Sequence, residues 1–250
     1  WLTYPSLPVE DQDRFVLPLE PGCTGLIKTP QSSEDDNFVR ERLELELLPG
    51  GDVEVRALST AGGEVDRSYR REFATLNNDR LKMVLSQAVN AMFTGASLIN
   101  YYVSDPTDMS KRLTMGLTFR SPGQLKKKGD KYILNIPGLH QAGLPPAEPG
   151  RRYPLCFRFP FKAETEIIVF YPDNLKPVFL PDDIDYNDAI GQVTARYRVV
   201  QPGRLNISFS YVRRITQVEN NDFPEYRRLA SKIALFSGRP VTFREVAKRN

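Results

Sequence analysis

The chain has 250 residues, 40% of them hydrophobic and 26% charged, with a mean hydropathy of −0.40; this is the composition of a globular protein rather than a disordered one. Its 34 basic and 31 acidic residues leave a net charge of +3, too small and too dispersed for the basic stripe of a nucleic-acid binder. One histidine, His140, and two cysteines, Cys23 and Cys156, with no CxxC, HExxH, GxSxG or P-loop spacing, offer no base or ligand cluster for the usual hydrolytic and metal chemistries, and no apolar run, Ile167 to Tyr171 included, is long enough to cross a bilayer.

Residues 1–36 carry Pro5, Pro8, Pro18, Pro21 and Pro30 and read as an irregular lead-in with a short strand near Phe15-Val16-Leu17. Leu43, Leu45 and Leu47 then alternate with Arg42, Glu44 and Glu46, Pro49-Gly50-Gly51-Asp52 turns the chain, and Val53 to Arg56 alternates again, which predicts a hairpin. Residues 64–74, after Gly62-Gly63, are expected to add a third strand or an extension. Leu81, Val84, Leu85, Ala88, Val89 and Met92 lie on one face of a helix near 77–94, capped by Asn77 or Asn78 and closed by Gly95.

Strands are expected at 98–103, 113–119 and 132–136, with Lys126-Lys127-Lys128 as a solvated turn. The Pro/Gly-rich stretch 137–153 either separates two subdomains or connects two sheets of one. Beyond it, 153–161, 164–171 and 177–180 read as strands, and the clearest hairpin runs from Gln192 through Gln201-Pro202-Gly203 to Arg213. A helix near 223–237 closes the domain. Asp222 and Glu225 stand in capping-box spacing ahead of a buried face of Tyr226, Leu229, Ala230, Ile233 and Phe236, and Gly238 ends the helix. These elements predict an α+β, mostly β domain over 37–250: an antiparallel β-sandwich with two packed helices.

Candidate sites are few. His140 lies in a loop with no local acid or nucleophile, and Cys156 sits in Leu155-Cys156-Phe157, which reads as core strand, so structural roles are favoured for both. Cys23 and Cys156 allow one disulfide without requiring it. In the acidic loop 182–188, Asp183, Asp185 and Asn187 are calcium candidates, although the glycine and glutamate of an EF-hand are missing from their places and a solvated turn is the favoured reading. Asn206-Ile207-Ser208 matches a glycosylation pattern but falls mid-strand. Tyr101, Tyr102, Tyr153 and Tyr186 are the residues from which an aromatic sugar platform could be built.

Several stretches together resemble one family. They are Val16-Leu17-Pro18-Leu19-Glu20-Pro21-Gly22, Lys28-Thr29-Pro30, Asp36-Asn37, Pro49-Gly50-Gly51-Asp52, Ala61-Gly62-Gly63, Tyr69-Arg70-Arg71-Glu72-Phe73, Gly95-Ala96, Ser104-Asp105-Pro106 and Phe223-Pro224-Glu225-Tyr226. Together they are similar to the β-rich domain that follows the transglutaminase-like core of exported, multidomain bacterial proteins. The resemblance implies a piece of a longer protein, with catalytic Cys and His upstream, so neither Cys23 nor Cys156 inherits a role. Trp1-Leu2-Thr3-Tyr4-Pro5 stands about where that family carries its catalytic Asp, and holds none.

The expectation is therefore a non-catalytic accessory domain without cofactor, periplasmic or at the cell envelope. Its partners would be the upstream core and an envelope protein or glycan, with no nucleic acid and no membrane span. The alternative is an independent carbohydrate- or peptide-binding module. An enzyme with two facing carboxylates is a third reading.

Overall fold

The computed structural model describes residues 7–136 and 152–246. The first half holds β1 (Phe15–Val16), β2 (Ile27–Lys28), β3 (Phe38–Leu47), β4 (Val53–Ala61), α1 (Gly63–Phe73), α2 (Asn78–Met92), β5 (Ser97–Val103), β6 (Thr114–Ser121), β7 (Leu125–Lys128) and β8 (Lys131–Leu134). The second half holds β9 (Leu155–Cys156), β10 (Phe161–Phe170), β11 (Leu175–Phe179), β12 (Ile184–Asn187), β13 (Gly191–Gln201), β14 (Arg204–Arg213), β15 (Gln217–Val218), α3 (Phe223–Gly238) and β16 (Val241–Glu245). With 42% strand and 21% helix, the protein is of the α+β, mostly β class.

Eight strands form one sheet in the order β12-β13-β14-β10-β3-β4-β6-β5, so the strands that follow residues 137–153 make one half of it and those that precede them the other, joined through β10 and β3. Every pairing is antiparallel except β10 with β3, which run parallel. Both predicted hairpins are present, β3–β4 and β13–β14. A second sheet, β11-β16-β8-β7, joins the same core through Leu125, Leu134, Val241 and Phe243, with the Phe243 ring 5.1 Å from Tyr171. Gly51 permits the junction. At φ +93 its backbone accepts from the Leu125 N–H, and a Cβ there would stand 2.5 Å from the Leu125 carbonyl oxygen.

The period-two pattern gives the large sheet two unlike faces. Leu43, Leu45, Val53, Val55, Ile167, Val169, Leu205 and Ile207 are buried on one. The other is exposed and ionic, with Arg40 bound to Glu164 at 2.7 Å and Arg42 to Glu166 at 2.9 Å. Helix α3 covers the first face through Phe236, whose ring stacks 4.3 Å from Phe209. Helix α2 covers it through buried Leu85 and Val89, and Phe93, just past its end, meets Phe119 edge-on at 5.2 Å.

Three expectations are corrected. Residues 64–74 are not a strand but helix α1, giving three α-helices among the described residues rather than two. Val65, Tyr69 and Phe73 recur at helical spacing, Glu64 and Asp66 lie at the positive end, and Arg70 and Arg71 lie at the negative end. The lysines 126–128 are not a turn; they sit on β7, an edge strand, where charge blocks pairing with another sheet. Asp222 forms no side-chain cap on α3, and Glu225 binds Arg228 instead. Asn77 does cap α2, accepting from the Arg80 N–H at 2.9 Å.

Candidate functional site

Helix α1 organises two cavities, one at each end. Its N-terminus opens on a polar cleft of about 630 Å³ between the lead-in and the loop 104–113. Asn37, which is buried, holds the entry. Its Oδ1 accepts from the Glu64 N–H at 3.0 Å, and its Nδ2 donates to Ser32 Oγ at 2.7 Å and to the Ser33 carbonyl at 3.0 Å. Gly63 takes φ +58 beneath it, where a Cβ would lie 2.4 Å from Asn37 Oδ1.

Four of the charges that line this cleft are bound in pairs, Arg70 with Asp66 and Arg67 with Glu64. Arg70, 1% exposed, donates to Asp66 Oδ2 at 2.6 Å, to the Pro106 and Asp108 carbonyls at 3.1 and 2.9 Å, and to the Lys111 carbonyl. Arg67 binds Glu64 at 2.5 Å and Glu10 at 3.2 Å. Hydrogen bonds within the Glu10 backbone region and from Arg67 hold the Glu10 carboxyl below its usual range. The Arg112 guanidinium lies 4.9 Å from the centre of the Phe38 ring. The cleft ties the lead-in to the body.

From that clamp the lead-in projects a two-stranded ribbon, β1 paired with β2. Its root is fixed: Val9 is buried, Glu10 also binds Arg158, and Gln12 Oε1 accepts from the Ser32 N–H and hydroxyl. Its outer residues are not covered. Leu19 is 98% exposed, Phe15 71%, and Leu17, Leu26 and Ile27 are exposed with them.

The C-terminal half of α1 borders a cavity of a different kind, about 340 Å³, between α1, α2 and the covered face of the sheet. Leu43, Phe73, Val84, Ala88, Met92 and Leu117 supply apolar wall. Glu41 and Glu72 line it as well, with Tyr69 and Ser59. Glu41 falls in phase with Leu43 and Leu45 on β3, which puts a carboxylate among leucines, and it pairs across the sheet with Thr165 and Ser59, both buried. The Tyr69 ring lies parallel to Phe73 at 5.9 Å. Burial, then the charges of Glu41 and Glu72, push the Tyr69 phenol up to about 12.

The predicted site residues lie elsewhere and do not converge. Asp183, Asp185 and Asn187 each face an arginine: Arg198 at 2.5 Å, Arg196 at 2.6 Å and Arg214 at 2.9 Å. The Arg198 hydrogen bond holds the Asp183 carboxyl below its usual range. Arginine therefore occupies the oxygens that a calcium ion would need, and no metal-ligand cluster occurs among the described residues. Cys23 and Cys156 are free thiols, and Cys156 is exposed rather than core. His140 and Trp1 to Pro5 lie outside the described residues.

The four tyrosines form no platform. Tyr102 and Tyr186 belong to β5 and β12, the opposite edges of the large sheet; Tyr101 packs on the core; and exposed Tyr153 stands beside the crossover. Asn206 accepts from Arg204 Nε within β14.

The sequence reading missed Glu41, Tyr69 and Glu72. One signal was available: Val39, Glu41, Leu43, Leu45 and Leu47 share a register, and the glutamate is the exception in it.

No family model matches the chain, and no curated protein does. Among solved structures, the crystal structure of baculovirus P35 aligns at 9% sequence identity and a TM-score of 0.18, over 83% of this chain and 96% of that one; a likeness at that level carries no argument.

Proposed function

We propose that this chain is a non-catalytic interaction domain that seats on a neighbouring protein domain through its lead-in ribbon. The observation that carries the reading is the cluster of Phe15, Leu17, Leu19, Leu26 and Ile27 on one short ribbon whose root is clamped to the body. Scattered exposed apolar residues are ordinary, but five on one projecting hairpin mark a surface made to be covered. A fixed root lowers the ordering cost of association, because the ribbon is already held where a partner meets it. The family resemblance supplies the neighbour: a transglutaminase-like core preceding this domain in an exported protein of the bacterial envelope.

Calorimetric titration of the chain with that core, produced separately, tests the reading. Association at micromolar or tighter affinity is expected, little changed by salt because the contact is apolar. The double variant Phe15→Asp, Leu19→Asp should weaken it at least a hundredfold and leave thermal unfolding in place. A folded, monomeric chain that does not associate with the core would sink the reading and leave an independent carbohydrate- or peptide-binding module in its stead.

A further inference from the structure

We propose that the exposed face of the second sheet, β11-β16-β8-β7, docks on the surface of an anionic phospholipid membrane. Four cations stand in one row across the width of that sheet. Lys176 of β11 lies opposite Arg244 of β16, Arg244 opposite Lys131 of β8, and Lys131 opposite Lys128 of β7. Residues directly opposite one another share a face, so the four side chains leave the sheet on the same side. Leu125, Leu134, Leu175, Val241 and Phe243 are buried on the other. The next row on the exposed face is Phe179, Thr242, Ile133 and Lys126, in pairing order. Phe179 is 53% exposed, and Val178 beside it is exposed as well. The face thus joins cations to apolar side chains, and neither row contains an acid. Charge that is dispersed along the chain is gathered here by four strands.

The fold does not answer these charges. Like charges directly opposite each other on adjacent strands are destabilising, and each consecutive pair in the row is of that kind. Strands lie about 4.8 Å apart, well inside a Debye length of about 8 Å, so the cations repel one another and act as one field. Asp130, in the turn between β7 and β8, binds Arg244 at 2.9 Å, but both are exposed and such a pair contributes little. Glu245 projects from the core-facing side of β16 and accepts from Tyr132 Oη at 3.2 Å and Asn174 Nδ2 at 3.3 Å. Lys126, Lys128, Lys131 and Lys176 form no ion pair among the described residues.

A partner rich in anions relieves that repulsion. A polyanionic chain is held along a groove that tracks its backbone. This face is an open sheet, and a layer of lipid phosphates meets all of it at once. Phe179 adds what a soluble polyanion has no use for, an aromatic ring at the level of the headgroups, where such rings gather in membrane-bound proteins. Each lysine near an anionic bilayer strengthens partition about fivefold.

This face shares no residue with the ribbon, so the two readings fail separately. Cosedimentation of the whole chain with vesicles tests the proposal, using phosphatidylcholine alone and phosphatidylcholine with about 30% phosphatidylglycerol. Partition into the anionic vesicles should be stronger by about a hundredfold or more, and the preference should vanish as salt rises from about 0.1 M to about 1 M. The triple variant Lys128→Gln, Lys131→Gln, Lys176→Gln should bring it to within about fivefold of the neutral vesicles. Its thermal unfolding should stay in place or move up, because repulsion has been removed. Phe179→Ser should weaken partition about threefold at unchanged charge. Arg80→Gln, Lys82→Gln, Arg227→Gln together remove the same charge from exposed positions on α2 and α3 and should matter less than about threefold. Equal partition into both kinds of vesicle, none into either, the same loss from the α2 and α3 variant, or binding of heparin without partition into anionic vesicles overturns the proposal.

Discussion

The two ends of helix α1 put charged groups to opposite uses. At the N-terminal end, charges answer one another inside the fold. Glu64 meets Arg67, Asp66 meets Arg70, and Asn37 closes the helix entry. At the C-terminal end, Glu72 and Tyr69 share a mostly apolar wall with Glu41. A buried charge is expensive unless it is paired and hydrogen-bonded, so the first arrangement belongs to stability. The second sets acids beside hydrocarbon, with Glu72 exposed. Substitutions at the first end should cost the most stability; substitutions of Glu72 and Tyr69 at the second should cost little.

Arg70→Met should be the most damaging. It retains the stem but leaves Asp66 and the carbonyls of Pro106, Asp108 and Lys111 without their shared donor. Breaking a buried pair of this kind costs about 3–5 kcal/mol. Arg70→Lys should recover little of it, because an ammonium cannot reach four acceptors in the fork geometry of a guanidinium. Urea unfolding measures both, and a loss under about 1 kcal/mol for the methionine variant would break the comparison. Asn37→Ala comes next, at about 2 kcal/mol. It removes the acceptor at the helix entry together with two donated bonds, and the site is too buried for water to replace them readily.

How much of this contrast could be read in the sequence depends on the element. Alternation over Leu43 to Leu47 and over Gln192 to Arg213 located both long hairpins, because period two with a Gly-containing turn has few other solutions. The apolar stripe of α2 and that of α3 were legible for the same kind of reason. Helix α1 was not. Gly62-Gly63 resembles a turn between strands, and only tertiary contacts, the Asn37 Oδ1 among them, turn it into a helix entry. The parallel pairing of β10 with β3 joins segments more than a hundred residues apart and leaves no local mark. The cavity was illegible because it needs α1: without that helix, Tyr69 and Glu72 have no place beside Glu41. The calcium candidates face arginines of the neighbouring strand β13 and Arg214, a pairing that shows only once β12 is laid beside β13.

Tyr69 gives a test specific to the second end. An unfolded tyrosine titrates near 10, and in the fold burial and the two glutamates raise this phenol to about 12. The folded state thus holds the proton more tightly than the unfolded one. The contribution of this group to stability is fully present below pH 10 and is lost as pH climbs through 12. Tyr186 and Tyr197 are also raised to about 12, and burial raises Tyr171 and Tyr211 as well, so the native chain should show a group of late phenols by near-ultraviolet absorbance. Tyr69→Phe should show one fewer. An unchanged number of late phenols in that variant would mean that Tyr69 titrates normally and that the acids do not act on it.

The smallest effect should differ in sign from all the others. Glu72 is an exposed acid next to the last residue of α1, where the unpaired carbonyls of the helix already carry partial negative charge. It also lies near enough to act on the same phenol as Glu41. Glu72→Gln keeps the shape, removes one of two like charges at the cavity and relieves the helix end. Stability should therefore be unchanged or rise by about 0.3–0.5 kcal/mol, the scale of a surface charge against a helix terminus. The phenol of Tyr69 should titrate earlier in the same variant, since one of the charges holding it up is gone. A measurable loss of stability would place Glu72 with Arg70 and Asn37 as part of the scaffold and erase the distinction between the two ends of the helix.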